Sequence, residues 1–127
     1  MHRNTYICAP GTITAGLQMI RYPSFFFAGQ LCGVEGYMGN LAAGLLAGIN
    51  AARFINGREP VTLPEETVSG ALFSYIASAE AKHFQPMKAN FGILPPLSSA
   101  SRSKRERAGQ YGERALDAAA AFFEKDL

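Results

Sequence analysis

A chain of 127 residues is the length of one domain and too short for two full ones. Hydrophobic residues make up 48% and charged residues 17%, a balance that excludes intrinsic disorder. Twelve Lys and Arg against ten Asp and Glu leave a formal net charge of +2, too mild to argue by itself for a nucleic-acid partner. The two cysteines, Cys8 and Cys32, have no C-x-x-C spacing. That excludes a disulfide framework and a cysteine-rich zinc site, and it fits a reducing compartment. The longest uncharged apolar stretch, Gly36 to Ala52, carries four glycines and is marginal for a membrane span. The first residues, Met1-His2-Arg3-Asn4, run on to Pro10-Gly11 without the apolar core of a signal peptide. A cytoplasmic protein without a membrane partner is expected.

In chain order, Thr5-Tyr6-Ile7-Cys8 reads as a short strand ended by Pro10-Gly11. Thr12 to Ile20 is mixed, strand or helix. Phe25-Phe26-Phe27-Ala28 is a continuous apolar run, which predicts a strand buried on both faces, as in a parallel sheet. Gly29 to Gly36 is a glycine-rich turn. A helix is predicted from about Met38 to Asn56, with Leu41, Leu45, Leu46, Ile49 and Ala52 at helical spacing and Asn56-Gly57 as its stop. Ala42, Ala43, Gly44, Ala47, Gly48 and Ala51 give that helix a thin body. A second helix is predicted from Glu65-Glu66 to about Ala79, with Leu72, Tyr75, Ile76 and Ala79 on one face. Phe84 to Pro96 reads as a long, apolar, irregular loop, the kind that is functional or packed on a neighbour. After a polar link, Ser98 to Ser103, a last helix is predicted from about Lys104 to Lys125. Its inward residues would be Ala108, Tyr111, Ala115, Leu116, Ala119, Phe122 and Phe123.

The chief functional signal is a strand ending in glycines and feeding a helix that starts Gly36-Tyr37-Met38-Gly39. A helix start exposes unpaired N–H groups and the positive end of the dipole, and glycines let a planar or anionic ligand approach the backbone. The pattern is not G-x-G-x-x-G, so the first dinucleotide half-site is absent from these residues. A plain helix–sheet corner with glycines for packing is the alternative, and composition alone favours it. His2 and His83 have no partner at metal spacing, so no metal is expected.

Several segments together resemble one family. Phe26-Phe27-Ala28-Gly29-Gln30, Gly33-Val34-Glu35-Gly36-Tyr37 and Gly44 to Ala52 are similar to the flavin-closing segment of the folate- and FAD-dependent tRNA uracil-5-methyltransferases, TrmFO. The broader group includes the wobble-uridine modifier MnmG. His2-Arg3-Asn4-Thr5, the loop Phe84-Gln85-Pro86-Met87 with Asn90-Phe91-Gly92, and Arg105-Glu106-Arg107 with Tyr111 and Arg114-Ala115 resemble the methyltransferase branch. The likeness covers nearly the whole chain.

The resemblance implies an α/β fold: the C-terminal fragment of an FAD/NAD(P)-binding-type domain, with a few strands and about three helices. Residues 1–60 would be the flavin-closing strands and helix, and residues 61–127 a helical extension with an apolar loop. Met1 would be an internal methionine or a truncation point, and the missing N-terminal FAD-binding portion would be a partner of this segment. The resemblance further implies tRNA as substrate, methylenetetrahydrofolate as carbon donor, FAD as redox cofactor and NAD(P)H as reductant. Gly29, Gln30, Glu35, Gly36, Tyr37 and Met38 would bind the cofactor.

Gln30 would bond a flavin hydroxyl or carbonyl. Glu35 would bond the flavin or, the favoured reading, hold the loop through backbone N–H groups. Tyr37 would stack on flavin or folate, or be a hydrogen-bonded core tyrosine. No catalytic residue is assigned, because Cys8 and Cys32 stand where the family carries other residues. Phe84 to Gly92 would line the folate or tRNA entrance or pack over the FAD domain. Arg3 would be a surface residue or a phosphate contact. The basic run from Arg102 to Arg114, with Lys104, Arg107 and Tyr111 near one helical face, would be a solvated face or a phosphate contact. The rival readings are a segment of the wobble-uridine modifier and a cofactor-free RNA-binding or docking module. Alone, the chain is expected to bind FAD weakly and to expose the edges of the Phe25–Phe27 strand.

Overall fold

The computed structural model describes residues 5–125. The motif at His2, Arg3 and Asn4 lies outside them. The described residues form an α/β arrangement of three helices and a two-stranded parallel sheet. Strand β1 (Val34–Glu35) leads into α1 (Tyr37–Ile55) and α2 (Val68–Ser78), and the chain returns as β2 (Met87–Lys88). Val34 pairs with Met87 and Glu35 with Lys88. A parallel pair needs a long crossover, and α1 and α2 supply it. Helix α3 (Lys104–Lys125) follows.

The amino-terminal residues depart from expectation. Thr5 to Cys8 form no strand; Ile7 donates one backbone bond to Leu31 O at 2.8 Å. Thr12 to Ile20 form a tight antiparallel turn, with Ile13 bridging Met19 and Thr14 N–H donating to Gln18 O at 2.9 Å. Leu17, fully buried, holds φ +65° there, the one positive φ among described non-glycine residues. The Phe25–Ala28 run is not a doubly buried parallel strand. Phe26 makes an isolated antiparallel bridge to Gln18, and Phe25 is 58% exposed. An apolar run specifies burial only if something covers both its faces, and here one side is uncovered.

α1 matches its predicted limits. Asn56 closes it with its N–H directed at the Ala52 and Arg53 carbonyls. Gly57 then takes φ +68°, and the Arg58 N–H returns to Arg53 O at 2.8 Å, the left-handed exit that glycine permits. Its buried residues, however, are Gly39, Ala43, Leu46, Ala47 and Asn50, while Leu41 and Leu45 are each 67% exposed. The inward side is the thin one because β1 and α2 press against it. A Cβ on Gly39 would stand 2.9 Å from Val34 Cγ1.

α2 starts three residues later than Glu65. The Thr67 N–H and hydroxyl both donate to Pro64 O, forming a turn, and Thr67 Oγ1 caps the Gly70 N–H at 3.0 Å. Its core face holds Leu72 and Ile76 as predicted, together with Phe73. One hydrophobic cluster gathers Ile13, Leu17, Cys32, Val34, Leu46, Leu72, Phe73, Ile76 and Phe84.

A 3-10 turn, Ala81–His83, precedes the expected loop of Phe84 to Pro96, which itself contains β2 and a second 3-10 turn at Phe91–Ile93. α3 occupies its predicted span. Ser103 accepts the Glu106 N–H at its start. Of the predicted inward residues only Phe122 is buried, while Leu116, Phe123 and Ala108 are exposed. The helix is tied to the body by Gln110, which meets Ser99 and Ser101, and by Arg114, which donates to the Pro95 and Pro96 carbonyls.

Candidate functional site

The glycine bend is built from three constrained turns. A 3-10 turn, Gly29–Cys32, ends at Gly33 with φ +90°. A Cβ on Gly33 would lie 2.6 Å from Phe84 Cζ, so this glycine serves packing. Gly29, at φ +69°, would bring a Cβ within 2.6 Å of Asn40 Oδ1. Asn40 then donates through Nδ2 to Gly36 O at 2.7 Å, and its N–H reaches the same oxygen at 3.0 Å. The bend and the first turn of α1 are therefore one unit. Asn40 was not among the predicted site residues; its only sequence signal is an amide one turn inside a helix.

Gly36 differs from the other two. Its φ of +83° and ψ of 151° demand glycine. A Cβ there would meet nothing nearer than Lys88 Cγ at 3.9 Å. Gly36 is the N-cap of α1, and no side chain caps the helix. The first N–H groups of α1 thus have no side-chain cap, and they follow directly on Glu35, whose strand neighbour is Lys88. Tyr37 is 91% exposed, which removes the core-tyrosine reading, and Met38 is exposed beside it. Gln30 is exposed on the 3-10 turn. Glu35 is half-buried and makes none of the loop-holding bonds expected of it; its side chain has no ion pair or hydrogen bond among the described residues. All six predicted residues lie on this one bend. Their backbone can donate to an electron-rich planar edge, and their side chains add one amide, one carboxylate, one phenol and one thioether.

Cys32 lies beneath the bend, buried, with its Sγ donating to Gly29 O at 3.2 Å. Burial pushes its thiol up to about 11, so it is a neutral packing group and not a nucleophile at neutral pH. Cys8 is exposed. Among the described residues no three His, Cys, Asp or Glu gather to hold a metal, and no helix is long and apolar enough to cross a membrane. The loop residues separate. Phe84 is a core residue, in edge contact with Tyr6 at 6.1 Å, whereas Phe91 is exposed and stacks on Tyr111. Of the basic run, Arg107 and Arg114 are half-buried and Arg102, Lys104 and Arg105 exposed.

Known proteins resemble the chain at two levels. Residues 1–59, the bend and α1 included, match the family model described as Glucose inhibited division protein A. More particularly, the whole chain is 49% identical to the methylenetetrahydrofolate–tRNA-(uracil-5-)-methyltransferase TrmFO of Heliobacterium modesticaldum, covering 29% of that protein. It is 54% identical over 91% of its length to the TrmFO of a Picosynechococcus species and 50% identical over 92% to that of Ligilactobacillus salivarius. It spans 25% and 27% of those two proteins. The chain therefore spans a quarter to somewhat under a third of the length of the methyltransferases it matches.

Proposed function

We propose that this chain is the C-terminal segment of a methylenetetrahydrofolate- and FAD-dependent tRNA (uracil-5-)-methyltransferase. That enzyme would place the C5 methyl group of T-loop uridine, with NAD(P)H as reductant, in the cytoplasm. The observation that carries this reading is the 49% identity running through all 127 residues, helical extension included. Past residue 59, where the family-model match ends, the identity to the named methyltransferases continues, which favours the methyltransferase over the wobble-uridine modifier.

The residues fit FAD. Gly36 leaves open the approach to an uncapped helix start, where a flavin's pyrimidine edge can lie against the N–H groups of α1. When bound, FAD supplies the electrons that complete the transferred methyl group. The chain's own contribution is electrostatic: the α1 dipole favours negative charge at that edge by roughly 0.3–2 kcal/mol. Gly29 and Gln30 would follow the ribityl chain, Glu35 would bond a ring N–H or ribityl hydroxyl, and Tyr37 and Met38 would cover the ring and exclude water. Residues 1–60 form the flavin-closing part in this reading, and residues 61–127 the extension.

The test is a chimera in which these 127 residues replace the matching stretch of the Heliobacterium modesticaldum protein. Retained yellow flavin and folate-dependent methylation of a tRNA transcript are expected. A folded but colourless and inactive chimera would overturn the proposal.

A further inference from the structure

Helix α3 begins against its own dipole. The N-terminal end of a helix is positive and favours acids. Lys104, Arg105 and Arg107 nevertheless fill the first turn, and Arg102 precedes it. The single acid there, Glu106, accepts the Ser101 hydroxyl and neutralises none of them. Among the described residues the one ion pair is His83–Glu80, elsewhere in the chain. Arg114 adds a further cation without a carboxylate. Its guanidinium donates to Pro95 O at 2.8 Å and Pro96 O at 3.0 Å, and it lies 5.1 Å from the Tyr111 ring centre.

A rigid aromatic surface adjoins these charges. Phe91 stacks on Tyr111 with centroids 5.8 Å and planes 22° apart, yet it keeps 57% exposure. Asn90 holds the turn that carries it: Oδ1 accepts the Gly92 N–H at 2.8 Å and Nδ2 donates to Lys88 O at 2.9 Å. Tyr111 follows Lys104 and Arg107 along the same face of α3. Cations alone suit any polyanion. A fixed ring bordered by unpaired cations suits a backbone whose bases are splayed out of the stack.

We propose that this face binds RNA, with phosphates on Lys104 and Arg107 and on Arg102 just before the helix, and an unstacked base on the open side of Phe91. The inference rests on the methyltransferase reading for the identity of that RNA, and it gives tRNA a contact remote from the flavin bend. The exposed apolar residues of α3, Leu116 and Phe123, lie toward its other end, which argues against a membrane as the occupant.

The test is fluorescence anisotropy of the 127-residue chain with an unmodified tRNA transcript across a salt series. Lys104→Ala with Arg107→Ala is expected to weaken binding about tenfold and to flatten the salt slope by roughly 1.5, two lost phosphate contacts. The melting temperature should hold or rise, since cations leave a helix N-terminus. Phe91→Leu keeps the apolar bulk and should weaken binding at least fivefold or so, whereas Phe91→Tyr should bind as the parent does.

Unchanged affinity and slope in a folded charge variant would overturn the proposal. So would equal affinity of Phe91→Leu and Phe91→Tyr, or tighter capture by phosphatidylserine vesicles than by tRNA. The same variants placed in the chimera separate the two readings. A yellow, methylating chimera whose tRNA affinity ignores them sinks this surface alone, and a colourless, inactive parent chimera sinks the enzyme assignment, with the salt series on the chain still testing the surface.

Discussion

Helices α1 and α3 are similar in length and opposite in construction. α1 buries its small residues and turns Tyr37, Met38, Leu41, Leu45 and Ile55 outward. α3 buries little besides Phe122 and is held mainly by polar ties to the preceding loop. The difference teaches that the buried side of a helix is chosen by how closely its neighbours approach, not by where its largest apolar residues fall. β1 and α2 crowd α1 most closely at Gly39, where a Cβ would stand 2.9 Å from Val34 Cγ1 and 3.6 Å from Leu72 Cδ2. In the flavoenzyme proposal Tyr37 and Met38 would face the cofactor, and Leu41, Leu45 and Ile55 would be free to meet the rest of the enzyme.

The contrast breaks most sharply at Asn50. Its buried amide donates to Gly16 O and Val61 O, both at 2.8 Å, and accepts the Val61 N–H at 2.7 Å. Asn50→Ala strands these groups and is expected to cost about 3 kcal/mol or more in urea unfolding. Equal stability of variant and parent would show that water replaces the amide.

On the same helix, Gly39→Ala should destabilise by about 1–3 kcal/mol, because its methyl meets Val34. Gly44→Ala, with nothing within 4 Å, should instead stabilise by up to ~1 kcal/mol. Thermal melts giving both the same sign would refute the crowded-side account.

Cys32 sharpens the comparison through pH. Its thiol titrates near 11 in the fold against 9.0 ordinarily, so the stabilisation from its neutral form is full below pH 9. It is lost as pH rises from 9 toward 11, by less than about 2 kcal/mol. Cys32→Ala should remove that alkaline loss, as read from chemical unfolding at pH 8 and pH 10.5. The smallest effect belongs to α3, where exposed Leu116→Gln should change stability by less than about 0.5 kcal/mol.

The limits of α1 and α3 were legible because composition changes sharply there: Asn56-Gly57 ends the one, and a polar link precedes the other. The face of α1 was not, since periodicity registers large apolar residues and is silent about close approach. The glycine bend was legible as a unit, but its strand was misplaced: the Phe25–Ala28 run makes one bridge, and the true strands are two residues each, too short for any period. Asn40 and Asn50 escaped notice because a polar residue in a helix gives no sign of which distant carbonyl it meets. The six residues assigned to the cofactor came from one contiguous motif and gather for that reason.

The few ties of α3 have a kinetic consequence. Releasing Gln110, Arg114 and Phe122 frees the helix while the cluster around Phe73 and Leu17 stays closed. Its amides should therefore exchange with solvent deuterium through a separate, low-energy opening, well before those of α2.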